Sequence, residues 1–341
     1  TKIYTGMNSG KDIPDLTLIH ADRVPQFADL DMLEPIEGLM ATNTDLSADN
    51  YLEVAWNAGN YEGTQYTVPL DIHGNAMYYN TDLLDKYDAN TFLDDDVVTI
   101  EEILSLDGKL DEGQYAINNA LIEWVTLANV VNAGGDISDE AGNPTINTDA
   151  MRSVVEQLKS VADAGLMSPY GEDGYAMFQS GDVLFSTDGT WTSTAHGSVE
   201  GLNFGVTNIY SVTPDKFTNR SSAHLFSLLN NEDRTDEKEQ GVADFLSWMR
   251  ENSLDWAGAG QIVASKEVFE SEEYQQYPQS FFTSSDVEKE ASYIFDYKYY
   301  SYVESALGTV LSDMIYGNIT IDEGLDQAQK TVEDLIAENA S

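Results

Sequence analysis

Short apolar runs alternate along most of the chain with stretches whose apolar residues recur every three or four positions. The apolar runs have the length and flanking turn residues of buried strands, and the recurring pattern indicates amphipathic helices. The clearest strand candidates are Leu16–His20, Tyr115–Ile117, Val183–Phe185, Asn203–Ile209 and His224–Leu229. Strands and helices that alternate through the whole sequence predict an α/β fold.

The stretch from Val68 to Lys86 changes from a strand pattern to the beginning of a helix. Its apolar and aromatic part, Ala76–Tyr79, has strand character. Asp71, His73 and Asn75 alternate before it, so these polar side chains share one face of an extended segment. Such a strand either faces a ligand or is an ordinary edge strand, and the stretch itself does not decide between the two interpretations.

The capping box, the pattern Ser/Thr-x-x-Glu of helix N-termini, predicts where several helices begin. It occurs at Thr99–Glu102, Ser285–Glu288 and Thr320–Glu323. A further helix, Asn118–Val131, is predicted from its apolar content and from the glycine pair that follows it.

Polar and aromatic side chains follow the ends of two predicted strands. His20, Asp22 and Arg23 come at the end of the first strand, and Trp191 follows the strand that breaks at Gly189. Ligands in α/β proteins usually bind at the carboxyl ends of strands, so these residues are candidates for a binding site. Alternatively, Asp22 and Arg23 form a local salt bridge at a helix start, and Trp191 belongs to the core.

Three weaker candidates come from predicted loop position or aromatic density. Trp256 and Gln261 lie in a glycine-containing stretch with the pattern of a loop, where a wide aromatic ring is a better binding candidate than in a helix stripe. Tyr302 belongs to the densely aromatic segment Tyr293–Tyr302. We include all three among the candidate ligand contacts.

Length and charge narrow the classes of protein. The 341 residues exceed the roughly 250 to 300 at which single cores stop growing, so two domains are expected. With 60 Asp and Glu against 16 Lys and Arg, the net charge is -44, which excludes a nucleic-acid partner and argues against contact with an anionic membrane surface. The acidity itself indicates solubility and mutual repulsion, with adaptation to salty or acidic surroundings as one cause.

The motifs of several enzyme and cofactor classes are absent from the sequence. It has no cysteine, no G-x-S-x-G elbow, no phosphate loop, no H-E-x-x-H and no G-x-G-x-x-G. The four histidines, His20, His73, His196 and His224, are dispersed without the spacing that recruits a metal. We therefore predict no cofactor and no metal. Carboxylates are so abundant that a pair suited to glycoside hydrolysis would arise by chance, so an enzyme stays open.

The remaining candidates suit a neutral, polyhydroxylated ligand. The apolar C–H face of a sugar ring stacks on an indole, and its hydroxyls pair with carboxylate and amide groups. The sequence therefore favours a sugar.

Five segments resemble, in order, those of the extracellular solute-binding proteins of ABC transporters, in the carbohydrate-binding group that includes the maltose-binding protein. The segments are IPDLTLIHADR with FADLDMLEPI, YTVPLDIHGNAMYYNTDLL, the Trp124 helix ending at Gly134-Gly135, FQSGDVLFSTDGTW, and GNITIDEGLDQAQ. Together they extend over nearly the whole chain.

The resemblance implies a two-lobed, periplasmic-binding-protein-like (type II) α/β fold with hinge crossings and a central ligand cleft. Lobe I would hold residues 1–81 and 228–293, and lobe II residues 82–227 and 294–341. In the family, a strand and a helix come before the segment that corresponds to Thr1 of this chain. The family's binding positions match Asp22, Arg23, His73, Trp124 and Trp191.

Two of these positions differ from those of the maltose-binding protein. By the resemblance, that protein carries a carboxylate where this chain has His73 and a tyrosine where this chain has Trp124. The implied sugar is therefore other than simple maltose. Trp191 and Trp124 would stack on the sugar, and Asp22, Arg23, Asp71 and His73 would hydrogen-bond its hydroxyls. The remaining candidate contacts are His20, Gly189, Trp256, Gln261 and Tyr302.

The implied function is non-enzymatic capture of an oligosaccharide and its presentation to a membrane permease. The protein would act as a monomer outside the cytoplasm, either at the cell surface on a lipid anchor or in the periplasm. A secreted glycoside hydrolase, or a binder of the same fold for a peptide, polyamine or metal chelate, stays open as an alternative.

Overall fold

The structure is a computed structural model that describes residues 2–213, 216–284 and 292–339. The chain forms two compact units. Unit 1 consists of Thr1–His73, Ser221–Ser280 and Ile294–Lys298, and unit 2 of Gly74–Arg220, Phe281–Tyr293 and Tyr299–Ser341.

The strands are short apart from two. They are β1 Leu16–His20, β2 Leu33–Glu34, β3 Asn60–Tyr61, β4 Thr64–Gln65, β5 Thr67–Pro69, β6 Asp71–Asn80, β7 Tyr115–Ile117, β8 Val183–Gly189, β9 Phe204–Thr207, β10 Asn219–Ser222, β11 His224–Leu229, β12 Ile262–Val263 and β13 Ser292–Tyr293.

The helices range from single turns to 19 residues. They are α1 Lys2–Ser9, α2 Val24–Asp29, α3 Glu37–Thr42, α4 Glu53–Asn57, α5 Thr81–Tyr87, α6 Ile100–Leu104, α7 Ile122–Asn132, α8 Asp149–Asp163, α9 Gly174–Gln179, α10 Ser193–Gly197, α11 Asp236–Glu251, α12 Leu254–Ala257, α13 Lys266–Phe269, α14 Phe281–Ser284, α15 Tyr300–Ile315 and α16 Ile321–Asn339. Within the described ranges, no helix combines the length and apolar character needed to cross a bilayer.

Strand β11 is the centre of the sheet in unit 1. It pairs antiparallel with β1, β2 and β5, and the β1 register places His20 directly opposite His224. The core of this unit forms where α2 packs on these strands, around Ile19, Val24, Phe27 and Leu225. The first residues of β6 belong to the same unit and pair with β12.

In unit 2, β8 is buried along its whole length and pairs with the later part of β6 and with β7. Its first three residues, Val183–Phe185, are the continuous apolar run from which the strand was predicted, as is typical of a strand buried on both faces. Strand β9 pairs with β6, and β10 with β13. Helix α15 packs against α7, α8 and α16 through a face of buried aliphatic side chains.

Helix ends follow the local chemistry that the sequence predicted. Thr99 and Glu102 form both bonds of a capping box at α6, and Thr320 and Glu323 do so before α16. The box predicted at Ser285–Glu288 lies outside the described residues.

The structure corrects three predicted elements. The helix predicted at Asn118–Val131 begins at Ile122, because Leu121 adopts a left-handed conformation with φ of 47°. The strand predicted at Asn203–Ile209 is limited to β9. The predicted loop around Trp256 contains the short helix α12.

Candidate functional site

Unit 1 brings three histidines together at the ends and beginning of its strands. His20 is the last residue of β1, His224 the first of β11, and His73 the third of β6. Their ring centroids are separated by 5.2 Å for His20 and His73, 4.7 Å for His20 and His224, and 4.3 Å for His73 and His224. His20 is exposed, His224 half-buried and His73 buried, so the cluster reaches the surface at His20.

The carboxylate of Asp71 contacts two of the three histidines. It is fully buried, and its oxygens lie 3.2 Å from His73 Nδ1 and 2.8 Å from His224 Nδ1. The backbone N–H of His224 donates to Asp71 at 3.0 Å, and Trp256 Nε1 donates to it at 2.6 Å. Burial would raise the pKa of Asp71, but the hydrogen bonds from His224 and His73 keep that pKa far below its usual range.

The carboxylate of Asp71 is therefore ionised. Its oxygens accept hydrogen bonds from residues of the same unit. It is inaccessible to solvent and contacts two imidazoles and the Trp256 indole. Trp256 was predicted on an exposed loop, but it is half-buried on α12 and tied to this carboxylate.

The two charged residues after β1 contact each other. Arg23 Nε lies 3.3 Å from Asp22 Oδ2, in the helical turn Ala21–Arg23. This is the local salt bridge that the sequence left open, and the Arg23 side chain is 41% exposed. Gln261, also in unit 1, is buried between α12 and β12, and its carbonyl accepts a bond from Gln279.

Unit 2 places Trp191 on the end of β8. A Cβ atom at Gly189 would lie 2.2 Å from the indole, so only glycine lets the ring rest against the strand end. Trp191 is half-buried, and Trp124, in the first turn of α7, meets it edge to face with centroids 5.8 Å apart. The structure thus unites the two predicted stacking residues.

A buried guanidinium covers one face of Trp124. Arg220 lies 3.6 Å from the Trp124 ring centroid, its Nε donates to Tyr300 Oη at 2.8 Å, and its Nη2 is 3.4 Å from Glu304. Its Nη1 is buried and has no hydrogen-bond partner among the described residues. Tyr302 instead stacks on Tyr299 at 5.8 Å.

Two acids near the tryptophans have raised pKa values. Burial raises the pKa of Asp188, next to Gly189 on β8, to about 6, although the Gly189 amide donates to it at 2.7 Å. Burial also raises the pKa of Glu123, which precedes Trp124. Perturbed carboxyl groups of this kind are common at functional sites.

The structure corrects the conclusion that the histidines are dispersed. Three of them form one cluster because the antiparallel register of β1 and β11 sets His20 opposite His224, and β6 adds His73. His196 is apart from them in unit 2, buried among Tyr78, Tyr175, Phe178 and Phe204.

Sequence reasoning missed His224, Arg220 and Asp188 as site residues. The sequence did predict the strand that begins at His224, but a register between segments so far apart leaves no local signal. Asp188 stands beside a predicted site glycine, and that adjacency was the signal for it. Arg220 has no such signal, since its contacts with Trp124 and Tyr300 join distant segments.

Comparison with known proteins shows the family to which the chain belongs. A family profile described as bacterial extracellular solute-binding protein matches residues 1–283. The arabinooligosaccharide-binding protein of Halalkalibacterium halodurans is 23% identical over 209 residues. That match covers 55% of this chain and only 43% of the relative, less than half of its length.

Solved structures share the fold over almost the whole chain. An ABC substrate-binding protein from Listeria monocytogenes in complex with cycloalternan has a TM-score of 0.82 at 17% identity, covering 98% of this chain and 88% of that one. A Mycobacterium tuberculosis protein in complex with glycerophosphocholine has a TM-score of 0.80 at 15% identity, covering 100% and 88%. These likenesses confirm the predicted periplasmic-binding-protein-like (type II) α/β fold.

Proposed function

Because the chain belongs to the bacterial extracellular solute-binding proteins, we propose that it captures a sugar or oligosaccharide for an ABC transporter. The loaded protein delivers its ligand to the membrane permease. The lobe boundaries predicted from the sequence, 81/82, 227/228 and 293/294, are part of this proposal.

One observation carries the proposal: in unit 2 a buried guanidinium lies on Trp124, which in turn contacts Trp191, and one of its N–H groups has no partner among the described residues. Indole rings offer the apolar surface on which a pyranose or furanose ring stacks. A buried N–H without a partner costs free energy, and a sugar hydroxyl would satisfy Nη1 of Arg220.

The residues divide into groups with different roles. Trp191 supplies the main stacking face, and Trp124 supplies the ring side that Arg220 leaves uncovered. In unit 1, His20 and His73 serve as hydrogen-bonding groups. Asp71 orients these imidazoles and contacts no hydroxyl, because its oxygens are already engaged.

The remaining predicted contacts keep lesser roles in the proposal. Asp22 and Arg23 act as a pair at the rim, and Gly189 makes room for the Trp191 ring. Gln261 and Tyr302 are contacts of lower weight.

An oligosaccharide is the favoured ligand. The relative from Halalkalibacterium halodurans is named for arabino-oligosaccharides, and the Listeria monocytogenes protein was solved with cycloalternan. The planes of Trp191 and Trp124 are 78° apart, so the two indoles cannot stack on the same sugar ring, and a ligand that uses both needs more than one ring.

We further propose that the protein is a monomer, catalyses no reaction, and acts outside the cytoplasm on a lipid anchor or in the periplasm. Light scattering after gel filtration tests the monomer, and fractionation of producing cells with a detergent-partition step tests the anchor. If the protein is recovered with the membranes but does not partition into the detergent phase, it carries no lipid anchor.

The central experiment is calorimetric titration with a ligand panel. The panel contains arabino-oligosaccharides, malto-oligosaccharides, a cyclic tetrasaccharide, glycerophosphocholine, spermidine and a tripeptide. We expect one oligosaccharide to bind in a 1:1 ratio, with no product by chromatography after prolonged incubation. Turnover would establish an enzyme instead, and saturable binding of only glycerophosphocholine, spermidine or the peptide would overturn the sugar assignment.

A further inference from the structure

The three-histidine cluster of unit 1 has the composition of a metal site. His20, His73 and His224 each place one ring nitrogen within 4.8 Å of the others. Neutral imidazole is a preferred ligand of Zn²⁺, Cu²⁺ and Ni²⁺, and three imidazoles with one solvent position form a common tetrahedral set.

The backbone fixes where these imidazoles stand. His20 and His224 are direct cross-strand partners in the antiparallel pair β1 and β11. Residues opposite each other in such a pair keep their Cβ atoms about 4.5 to 5.5 Å apart, so the two rings share one face by construction. His73 approaches from β6, which is held by its pairing to β12.

Asp71 supplies the outer support that metal-binding histidines generally need. An ionised carboxylate only accepts hydrogen bonds, so the Nδ1 atoms of His73 and His224 carry the protons that face it. In the neutral rings the lone pair is then on Nε2, and the carboxylate makes that nitrogen more basic. Trp256 donates to the same carboxylate and fixes its position.

We propose that His20, His73 and His224 bind one divalent transition-metal ion of the class that prefers imidazole. Zinc–nitrogen bonds of about 2.0 to 2.1 Å require nitrogens about 3.3 Å apart in a tetrahedral site, so the three imidazoles, whose nitrogens lie within 4.8 Å of one another, move closer together on binding. The exposed position of His20 leaves a route for the ion and room for a water ligand. All of these groups lie in unit 1, and the inference does not depend on the proposed sugar function.

Binding at the three histidines has to be distinguished from the general attraction of cations to the acidic surface. A net charge of -44 concentrates any divalent ion near the protein. That attraction is largely screened at about 0.5 M salt, and it does not distinguish Ca²⁺ from Zn²⁺. Ligation by nitrogen does, because Ca²⁺ takes oxygen ligands.

The test is calorimetric titration of tag-free protein, stripped of metal with a chelator, in about 0.5 M NaCl. We expect Zn²⁺ and Ni²⁺ to bind at one ion per chain, at least a hundredfold more tightly than Ca²⁺ or Mg²⁺. His20→Ala, an exposed position, should weaken binding at least a hundredfold. Asp71→Asn should weaken it about ten- to a hundredfold through loss of the outer support.

His196→Phe is the matched control, since this histidine lies in unit 2 and should leave metal binding unchanged. Circular dichroism of each variant reports on folding. If His20→Ala binds Zn²⁺ as tightly as the parent, or if Zn²⁺ and Ca²⁺ bind with similar affinity, the site does not exist. Failure of sugar binding would leave this result unaffected, since no sugar is present in the titration.

Discussion

At the scale of single residues, Arg220 changes how Trp124 can contact a ligand. Its guanidinium covers one face of the indole and is fixed by Tyr300 and Glu304. A cation stacked on an indole is itself stabilising, so a ligand does not displace it readily. In the proposed site, Trp191 is therefore the main stacking residue, since Arg220 does not occupy its ring.

We predict that Trp191→Ala weakens binding of the best oligosaccharide at least tenfold, which corresponds to about 1.4 kcal/mol. The stacking surface is lost outright, and alanine offers no replacement. Calorimetry measures the effect, with Trp248→Ala as control because that indole is 55% exposed on α11. Equal affinity of Trp191→Ala and the parent would remove Trp191 from the site.

His196 predicts a contribution to acid sensitivity. Its side chain is fully buried, and burial lowers its pKa from 6.5 to about 4. Between these values the unfolded chain takes up a proton that the folded chain does not. The free energy of unfolding therefore falls as the pH drops from 6.5 towards 4, by up to about 3 kcal/mol from this residue.

Urea unfolding at a series of pH values checks this contribution. In His196→Phe, which keeps a ring in the same aromatic surroundings, the loss of stability between pH 6.5 and 4 should be smaller than in the parent. Parallel curves for the two proteins would mean that other groups cause the acid sensitivity.

At the scale of elements, the glycine that ends β8 determines where the Trp191 ring can lie. Gly189 has φ of -85°, which any residue can adopt, so its requirement is steric. Its missing side chain creates the space that the Trp191 ring occupies. The turn between β3 and β4 differs, because Glu62 and Gly63 there have the positive φ that a two-residue hairpin needs.

Gly189→Ala should move the Trp191 ring and weaken oligosaccharide binding by about tenfold, since the new methyl group would lie 2.2 Å from ring carbons. Tryptophan fluorescence and calorimetry follow the ring and the affinity. Gly197→Ala is the control, as no heavy atom lies within 4 Å of its added Cβ. A Gly189→Ala variant with unchanged affinity and fluorescence would show that the ring position is not critical.

At the scale of the whole molecule, the net charge of -44 acts against folding through self-repulsion. With 16 Lys and Arg against 60 Asp and Glu, ion pairs such as Lys298 with Asp29 leave most of the acidic residues without a basic residue of their own. Exposed pairs of this kind contribute about 0 to 1 kcal/mol each. The repulsion is therefore left mainly to solvent ions.

We predict that the thermal midpoint rises when NaCl increases from about 0.05 M to 1 M, because the screening length falls to about 3 Å. Calorimetric or circular-dichroism melting measures the rise, and sucrose at equal osmolality controls for general solvent effects. A midpoint that stays constant or falls with salt, while sucrose raises it, would show that charge repulsion does not limit the stability of the fold.

The sequence by itself determined the features that depend on nearby residues. Strand and helix periodicity gave the α/β class, Thr99 and Thr320 marked their helix starts, and the ordered segments identified the family. Trp191 could be singled out because the glycine that seats it is two positions away. Each of these signals acts over a few residues, where the chain's own geometry relates sequence spacing to position in space.

Only the tertiary structure decided which distant residues meet. The register of β1 against β11 joined His20 to His224, and the fold set Asp71, an expected hydroxyl ligand, against two imidazoles. Arg220 reached Trp124 in the same way. Local spacing carries no information on strand register, and a shift of one residue would turn these side chains to the opposite face of the sheet.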